Sequence, residues 1–334
     1  MIQVTGLSKH YGSMKAIDDV SFHVNKGEIV GFLGPNGAGK STTMKILTCF
    51  TQPTSGTAEI AGFDTFENPD EIRKRLGYLP ENAPLYQDMT PQSYLRHVAE
   101  LKNVAAKEIK SQVEEVVSTF GVSGFSGKLI KYLSKGQKQR VGIAQSLLGN
   151  PEILILDEPT VGLDPQQIHE IRDVIRDMQG KRTVILSTHI LPEVSMTCQR
   201  ILIINKGKIV AEDSTKNLLS RFHKHNLYEI EVGGNKADIE STLSGINQVV
   251  RVELKREESD SVFVYEVETE AGTDKRREVS NAVVKNGLGL LSFQTVSLSL
   301  EEIFLELVTE EVTDPKEPTP APPRRGINEE EGET

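Results

Sequence analysis

At 334 residues, 37% of them hydrophobic and 26% charged, the chain has the material for two globular domains, and its composition excludes a wholly disordered polymer. Acidic residues outnumber basic ones 48 to 38; the resulting charge of −10 argues against general binding to nucleic-acid phosphates. The two cysteines, Cys49 and Cys198, lie too far apart to mark a zinc site or a disulfide framework, which fits a reducing cytosol.

Apolar runs such as "ILIL" at 153–156 are too short for a bilayer and the N-terminus has no secretion signal, so a membrane role is expected to come through a partner. Residues 1–220 alternate β-branched strands with helical patterns, which predicts an α/β domain built on a parallel sheet. Its first chemical landmark is "GEIVGFLGPNGAGKSTTMKIL", where an apolar strand runs through a glycine-rich turn into a helix. Gly34, Gly39, Lys40 and Ser41 match the phosphate-loop pattern, and Pro35, Asn36, Gly37, Ala38 and Thr42 complete the turn. Glycines let backbone N–H groups close around phosphate, and the positive helix end favours the same anion. Lys40 is expected to reach the β and γ phosphates of ATP or GTP, and the Ser41 hydroxyl to hold Mg²⁺.

Residues 82–150 read as a helical insert. Thr90 and Pro91 start one helix, and Ile109, Val113, Val116, Val117 and Phe120 form the apolar stripe of the next. In "LSKGQKQR", Ser134 and Gln137 make a capping box, while Lys135 puts a cation in the first turn, where the helix dipole disfavours it unless an anion docks. The buried-type strand in "PEILILDEPTVGLDP" ends in two acids. Asp157 there is suited to supporting Mg²⁺ and Glu158 to polarising an attacking water. Asp164, followed by Pro165, reads locally as a helix N-cap.

Beyond Phe222 the pattern becomes βαββαβ, which predicts a small α+β ferredoxin-like unit over 221–310, with "SLEEIFLELV" as a further helix packed on it. Residues 311–334 hold five prolines, seven acids and three bases with almost nothing apolar, and are expected to form a disordered tail.

Taken together, "GPNGAGKST", "LSKGQKQR", "ILILDEP", "GLDP" and "LSTHI" resemble, in order and separation, the nucleotide-binding subunit of an ABC transporter over residues 1–220. The C-terminal unit resembles the appendage of bacterial exporter-type ATPases, including drug-resistance and gliding-motility relatives. The resemblance implies a P-loop NTPase fold, ATP with Mg²⁺, and hydrolysis coupled to transport. It also implies a head-to-tail dimer, expected as a homodimer, in which Ser134, Gly136 and Gln137 contact the γ-phosphate held by the other copy. By the same likeness Asp164 lies at the dimer seam, His189 contacts the γ-phosphate and the attacking water, and Tyr11 stacks on adenine. Glu81 stands where many relatives carry a glutamine that touches Mg²⁺, and Lys135 where they most often carry glycine. The expected partners are a second ATPase subunit and an integral-membrane permease met at the cytoplasmic face of the membrane, with no direct nucleic-acid contact. A soluble superfamily ATPase acting on ribosomes or DNA is the alternative, but it lacks its usual marks here: a duplicated domain, a long coiled coil or zinc-binding cysteines.

Overall fold

The computed structural model describes residues 1–214, 217, 225–259, 261–270, 274–296 and 304. The chain opens with the strands β1 (Ile2–Tyr11), β2 (Met14–Val24) and β3 (Ile29–Leu33), then α1 (Lys40–Leu47), β4 (Ser55–Ile60), β5 (Phe63–Asp64), α2 (Pro69–Arg75) and β6 (Leu76–Leu79). Three helices follow, α3 (Pro91–Leu101), α4 (Ala106–Thr119) and α5 (Lys135–Leu147). Next come β7 (Ile153–Asp157), α6 (Pro165–Arg176), β8 (Thr183–Thr188), α7 (Leu191–Thr197), β9 (Arg200–Asn205) and β10 (Lys208–Asp213).

The central sheet has the order β10-β9-β3-β8-β7-β6 and is parallel except at the β10 edge. Its inner strands are apolar on both faces because both faces are covered. Ile29, Leu33, Leu154, Leu156 and Leu186 feed one core with α3 to α7, while Val30, Phe32, Ile153, Ile155 and Ile185 feed a second core with α1 and β1, β2 and β4.

The parallel sheet is as expected, and beside it stands one that the sequence reading does not anticipate. A second sheet, β2-β1-β4-β5, is antiparallel throughout. Its cause is local, because β1 and β2 are joined by only Gly12 and Ser13, with Gly12 at φ +61°, and so short a link permits only an antiparallel hairpin.

The C-terminal elements are β11 (His225–Gly233), α8 (Lys236–Ser244), β12 (Val249–Ser259), β13 (Val262–Glu270), α9 (Arg276–Lys285) and β14 (Gly289–Val296). Their antiparallel order β12-β13-β11-β14 is the ferredoxin-like one. Tyr228, Ile230 and Val232 alternate along β11 toward Ile239, Leu243, Val279 and Val283 of the two helices, leaving Glu229 and Glu231 on the other face.

The expected tail, 311–334, lies outside the described residues, and so does the closing helix apart from Phe304. Phe304 packs half-buried on the core beneath α3 to α7, not on the C-terminal sheet as the sequence predicts. A large apolar side chain gains most where most apolar surface is offered.

Candidate active site

The carboxyl ends of β3, β8 and β7, neighbours in the sheet, deliver the chemical groups to one edge. After β3 the chain turns through Gly34, where an added methyl would lie 2.4 Å from the Ile204 carbonyl oxygen. Gly39, at φ +108°, caps α1, and a methyl there would meet the Ala16 carbonyl oxygen at 2.6 Å. Pro35 is half-buried, Asn36 and Gly37 are exposed and Ala38 is buried. No side chain caps α1 and no acid occupies its first turn, so its leading N–H groups suit an external anion.

Lys40 is buried and donates to the carbonyls of Gly34 at 2.7 Å and Pro35 at 3.1 Å, with Glu158 Oε1 at 3.8 Å. Burial pulls its pKa below the usual lysine range, against the opposing pull of Glu158, Asp157 and Glu81. Ser41 and Thr42 sit half-buried in the first turn of α1.

Asp157 ends β7 with one oxygen taken by the Ser187 hydroxyl at 2.7 Å. Glu158, the next residue, adopts φ +52°, an unusual conformation for a non-glycine residue. Two contacts brace it. Its N–H donates to the Ser187 carbonyl at 2.8 Å, and the Gln139 side-chain amide donates to the carbonyls of Glu158 and Pro159, both at 3.1 Å. The Glu158 carboxyl group faces Nδ1 of His189 at 2.9 and 3.0 Å, and the tautomer with its proton on Nδ1 donates to it. The His189 side chain remains 44% exposed.

Lys40, Ser41, Asp157, Glu158 and His189 are thus gathered at one edge. Glu81 follows β6, is exposed, and is close enough to act electrostatically on Lys40 and to help burial raise the pKa of Tyr78. Tyr11, 46% exposed, closes the β1–β2 hairpin opposite Met14, with the Lys9 ammonium 5.2 Å from its ring centre. That hairpin leans on the phosphate loop through Ala16.

Ser134, Gly136, Gln137 and Asp164 form a separate group. The capping box is present, with Gln137 N–H donating to Ser134 Oγ at 3.2 Å and Ser134 N–H to Gln137 Oε1 at 3.0 Å. Gly136 lies against Gly162 and Gln167, and the Lys135 stem crosses Gly162. Asp164 caps α6 through Gln167 N–H at 2.9 Å. Among the described residues, none of these four bonds to the phosphate loop of its own chain.

The residues available for Mg²⁺ are oxygen donors, namely the Ser41 hydroxyl, the Asp157 carboxylate and Glu81, which fits that ion. Among the described residues no group of three His, Cys, Asp or Glu could hold a metal by itself. Such a set suits an ion that arrives with nucleotide phosphates as its remaining ligands.

Comparison with known proteins decides the family. Residues 17–161 match the ABC transporter family model. The chain is 34% identical over 316 residues to the bacitracin transport ATP-binding protein BcrA of Bacillus licheniformis, covering 92% of this chain and 97% of that one. This chain belongs to the ABC transporter ATP-binding proteins. This ABC ATPase is also 30% identical to the daunorubicin/doxorubicin resistance ATP-binding protein DrrA of Streptomyces peucetius, covering 92% of each chain. Among solved structures it resembles the ATP-binding subunit of an ABC transporter, with TM-score 0.62, 31% identity, and 66% of this chain and 93% of that one covered. It likewise resembles a dimeric ATP-binding cassette in a post-hydrolysis state bound to ADP and Pi, with TM-score 0.60, 26% identity, and 64% of this chain and 98% of that one covered. Binding and hydrolysis of Mg-ATP are the activities of this ABC ATPase family, and the ribosome- or DNA-acting alternative is not favoured.

The sequence reading assigns no role to several residues that brace this site. Ser187, Thr188, Thr160, Glu193 and Gln139 join the turns after β7 and β8 to each other and to α5 through side-chain hydrogen bonds. The available signals were a glutamine facing the core side of α5 and a single acid inside the apolar stretch "ILPEV".

Proposed function

We propose that two copies of this ABC ATPase close head to tail around two Mg-ATP molecules and drive a separate membrane permease, in export of the drug-resistance type. One observation carries the reading: the phosphate-binding group and the capped start of α5 are two well-formed half-sites that do not meet within one chain. A second copy completes each.

In this arrangement the backbone around Gly34 to Gly39 cradles the phosphates, Lys40 neutralises the β and γ charges, and Tyr11 stacks on adenine. Ser41, Asp157 and Glu81 would hold Mg²⁺, which would supply charge neutralisation at the phosphates. Glu158 polarises the attacking water, and His189 holds Glu158 through Nδ1 while offering Nε2 to the γ-phosphate. The partner contributes Ser134, Gly136 and Gln137 at the start of α5, with Asp164 at the seam.

Among the described residues no helix is long and apolar enough to cross a membrane, so a permease is the natural membrane element, with this chain peripheral at its cytoplasmic face. A groove of about 630 Å³ between the two subdomains, lined by Thr48, Arg73, Tyr78, Leu101, Lys102 and Gln145, supports a docking place for the permease's cytoplasmic helices. Phe50, beside it in sequence, is 76% exposed.

The test is the solution mass of Glu158→Gln protein with and without saturating Mg-ATP. A monomer that becomes a dimer only with ATP, and no longer does so when Ser134→Arg is added, supports shared sites. A monomer at every ATP concentration overturns them.

A further inference from the structure

The mechanism above leaves one buried acid unused. Glu193, in the first turn of α7, is only 3% exposed, and no ion pair reaches it among the described residues. Its carboxylate is held by two hydroxyls instead. Thr160 donates to Oε1, and Thr188 donates to Oε2 at 2.8 Å. Thr160 and Thr188 are themselves 7% and 0% exposed.

A buried carboxylate without a cation is costly, and packed apolar residues commonly serve stability as well or better. What Glu193 supplies is a connection between two turns. Thr160 lies in the turn after Glu158, where Val161 N–H returns to the Glu158 carbonyl at 3.3 Å and Leu163 N–H to the Thr160 carbonyl at 3.1 Å. That turn continues through Gly162 to Asp164. Thr188 immediately precedes His189, and its hydroxyl accepts from Ile190 N–H at 3.1 Å, which shapes the turn presenting the imidazole. The Thr188 hydroxyl has one proton to give. Glu158 Oε2 lies at 3.4 Å, against 2.8 Å for Glu193, so the proton goes to Glu193 and the hydroxyl direction is set.

We propose that Glu193 is a positioning residue that ties the 160–164 turn to the His189 turn, so that seating of the seam against a partner copy is transmitted to the imidazole and to Glu158. The inference rests on the reading that Glu158 and His189 act on ATP and that Asp164 lies at the seam.

The experiment compares kcat, KM for Mg-ATP and thermal midpoint in the full-length protein. Glu193→Gln keeps the shape but replaces a double acceptor with one acceptor and one donor, so it cannot take a proton from both threonines. It is expected to lower kcat by about tenfold, the scale of coupling within one hydrogen-bond network, and to leave KM within about twofold. Thr160→Val is expected to lower kcat in the parent and to add nothing in the Glu193→Gln background, whereas Thr160→Ser, which keeps the hydroxyl, retains parental kcat. Unchanged kcat in Glu193→Gln, or equal effects of Thr160→Val in both backgrounds, overturns the proposal. A fall in kcat matched only by a fall in thermal midpoint, with no rescue by Thr160→Ser, also overturns it. Glu158→Gln serves as the control: if it leaves kcat intact, the underlying assignment of the base has failed, and not the tie.

Discussion

The carboxyl edge of the central sheet and the open face of the C-terminal sheet are both rich in charge, but they treat it in opposite ways. At the first, Lys40, Asp157, Glu158 and Glu193 are all buried, and among the described residues the side-chain hydrogen bonds to Asp157 and Glu193 come from hydroxyls. On the second, Lys255 pairs with Glu266 at 3.2 Å, Arg251 pairs with Glu253, and most of these side chains remain well exposed. Exposed pairs of that kind contribute little to stability and serve solubility. Buried charge held by aligned hydroxyls is expensive to keep, and it marks the place where the molecule does chemistry.

The contrast is tested most severely at Glu158. Glu158→Gln is expected to cut the rate of phosphate release by about 10²-fold or more while nucleotide binding is retained, since it removes a base and little else. Loss of nucleotide binding along with turnover would mean that the buried charge serves the fold.

The next test lies at the rim of the same edge. Glu81→Gln is expected to keep ATP binding and to change the Mg²⁺ concentration for half-maximal turnover by about tenfold, because a neutral oxygen replaces a charged one. A Mg²⁺ titration of turnover that superimposes on the parent's removes Glu81 from the metal-binding set.

In the other region, Ile230→Val deletes one methylene from the fully buried core of β11 and is expected to cost about 0.5–1.5 kcal/mol by denaturant titration. ATP turnover should be unchanged. A parallel fall in turnover would show that the C-terminal sheet participates in the catalytic cycle and would break the contrast.

Lys102 offers the finest test. Its ammonium donates to the carbonyls of Leu148 at 2.9 Å and Ser146 at 3.3 Å, and burial pulls its pKa down to about 8. Between that value and the ordinary lysine value the unfolded chain binds the extra proton, so stability attributable to Lys102 rises with pH across this window. The difference in urea midpoint between wild type and Lys102→Met should therefore move in favour of wild type as pH goes from about 7.5 to about 9.5. A difference that is flat with pH would mean that the buried ammonium carries no penalty.

How much could be read in advance follows from sequence distance. The cap at Ser134, the cap at Asp164 and the glycine turn are local devices, each complete within a few residues, and each is legible in its own segment. The pairing of His189 with Glu158 spans 31 residues and the bond from Gln139 to the Glu158 carbonyl spans 19, so no local pattern encodes either. The N-terminal sheet was missed for a related reason. Pairing β1 with β4 brings Ile2 opposite Ile60, and only the completed packing over α1 makes that register favourable. Resemblance to a family supplied what local physics could not, but it named residues by role and was silent about Thr160, Thr188 and Glu193, which hold them.

Gln139 has a mechanical meaning for the pair of sites. In the proposed dimer the start of its helix would face the nucleotide of a neighbouring copy, while about one turn further along its side chain donates to the carbonyls of Glu158 and Pro159. Helices are stiff over such a length, so in that dimer the first turns of α5 would move as one body. Tilting it to fit ATP across the seam would pull on the Glu158 carbonyl, and a shift of Glu158 would push back on the seam. Two active sites linked in this way would share one geometry, and neither would complete a cycle as though the other were absent.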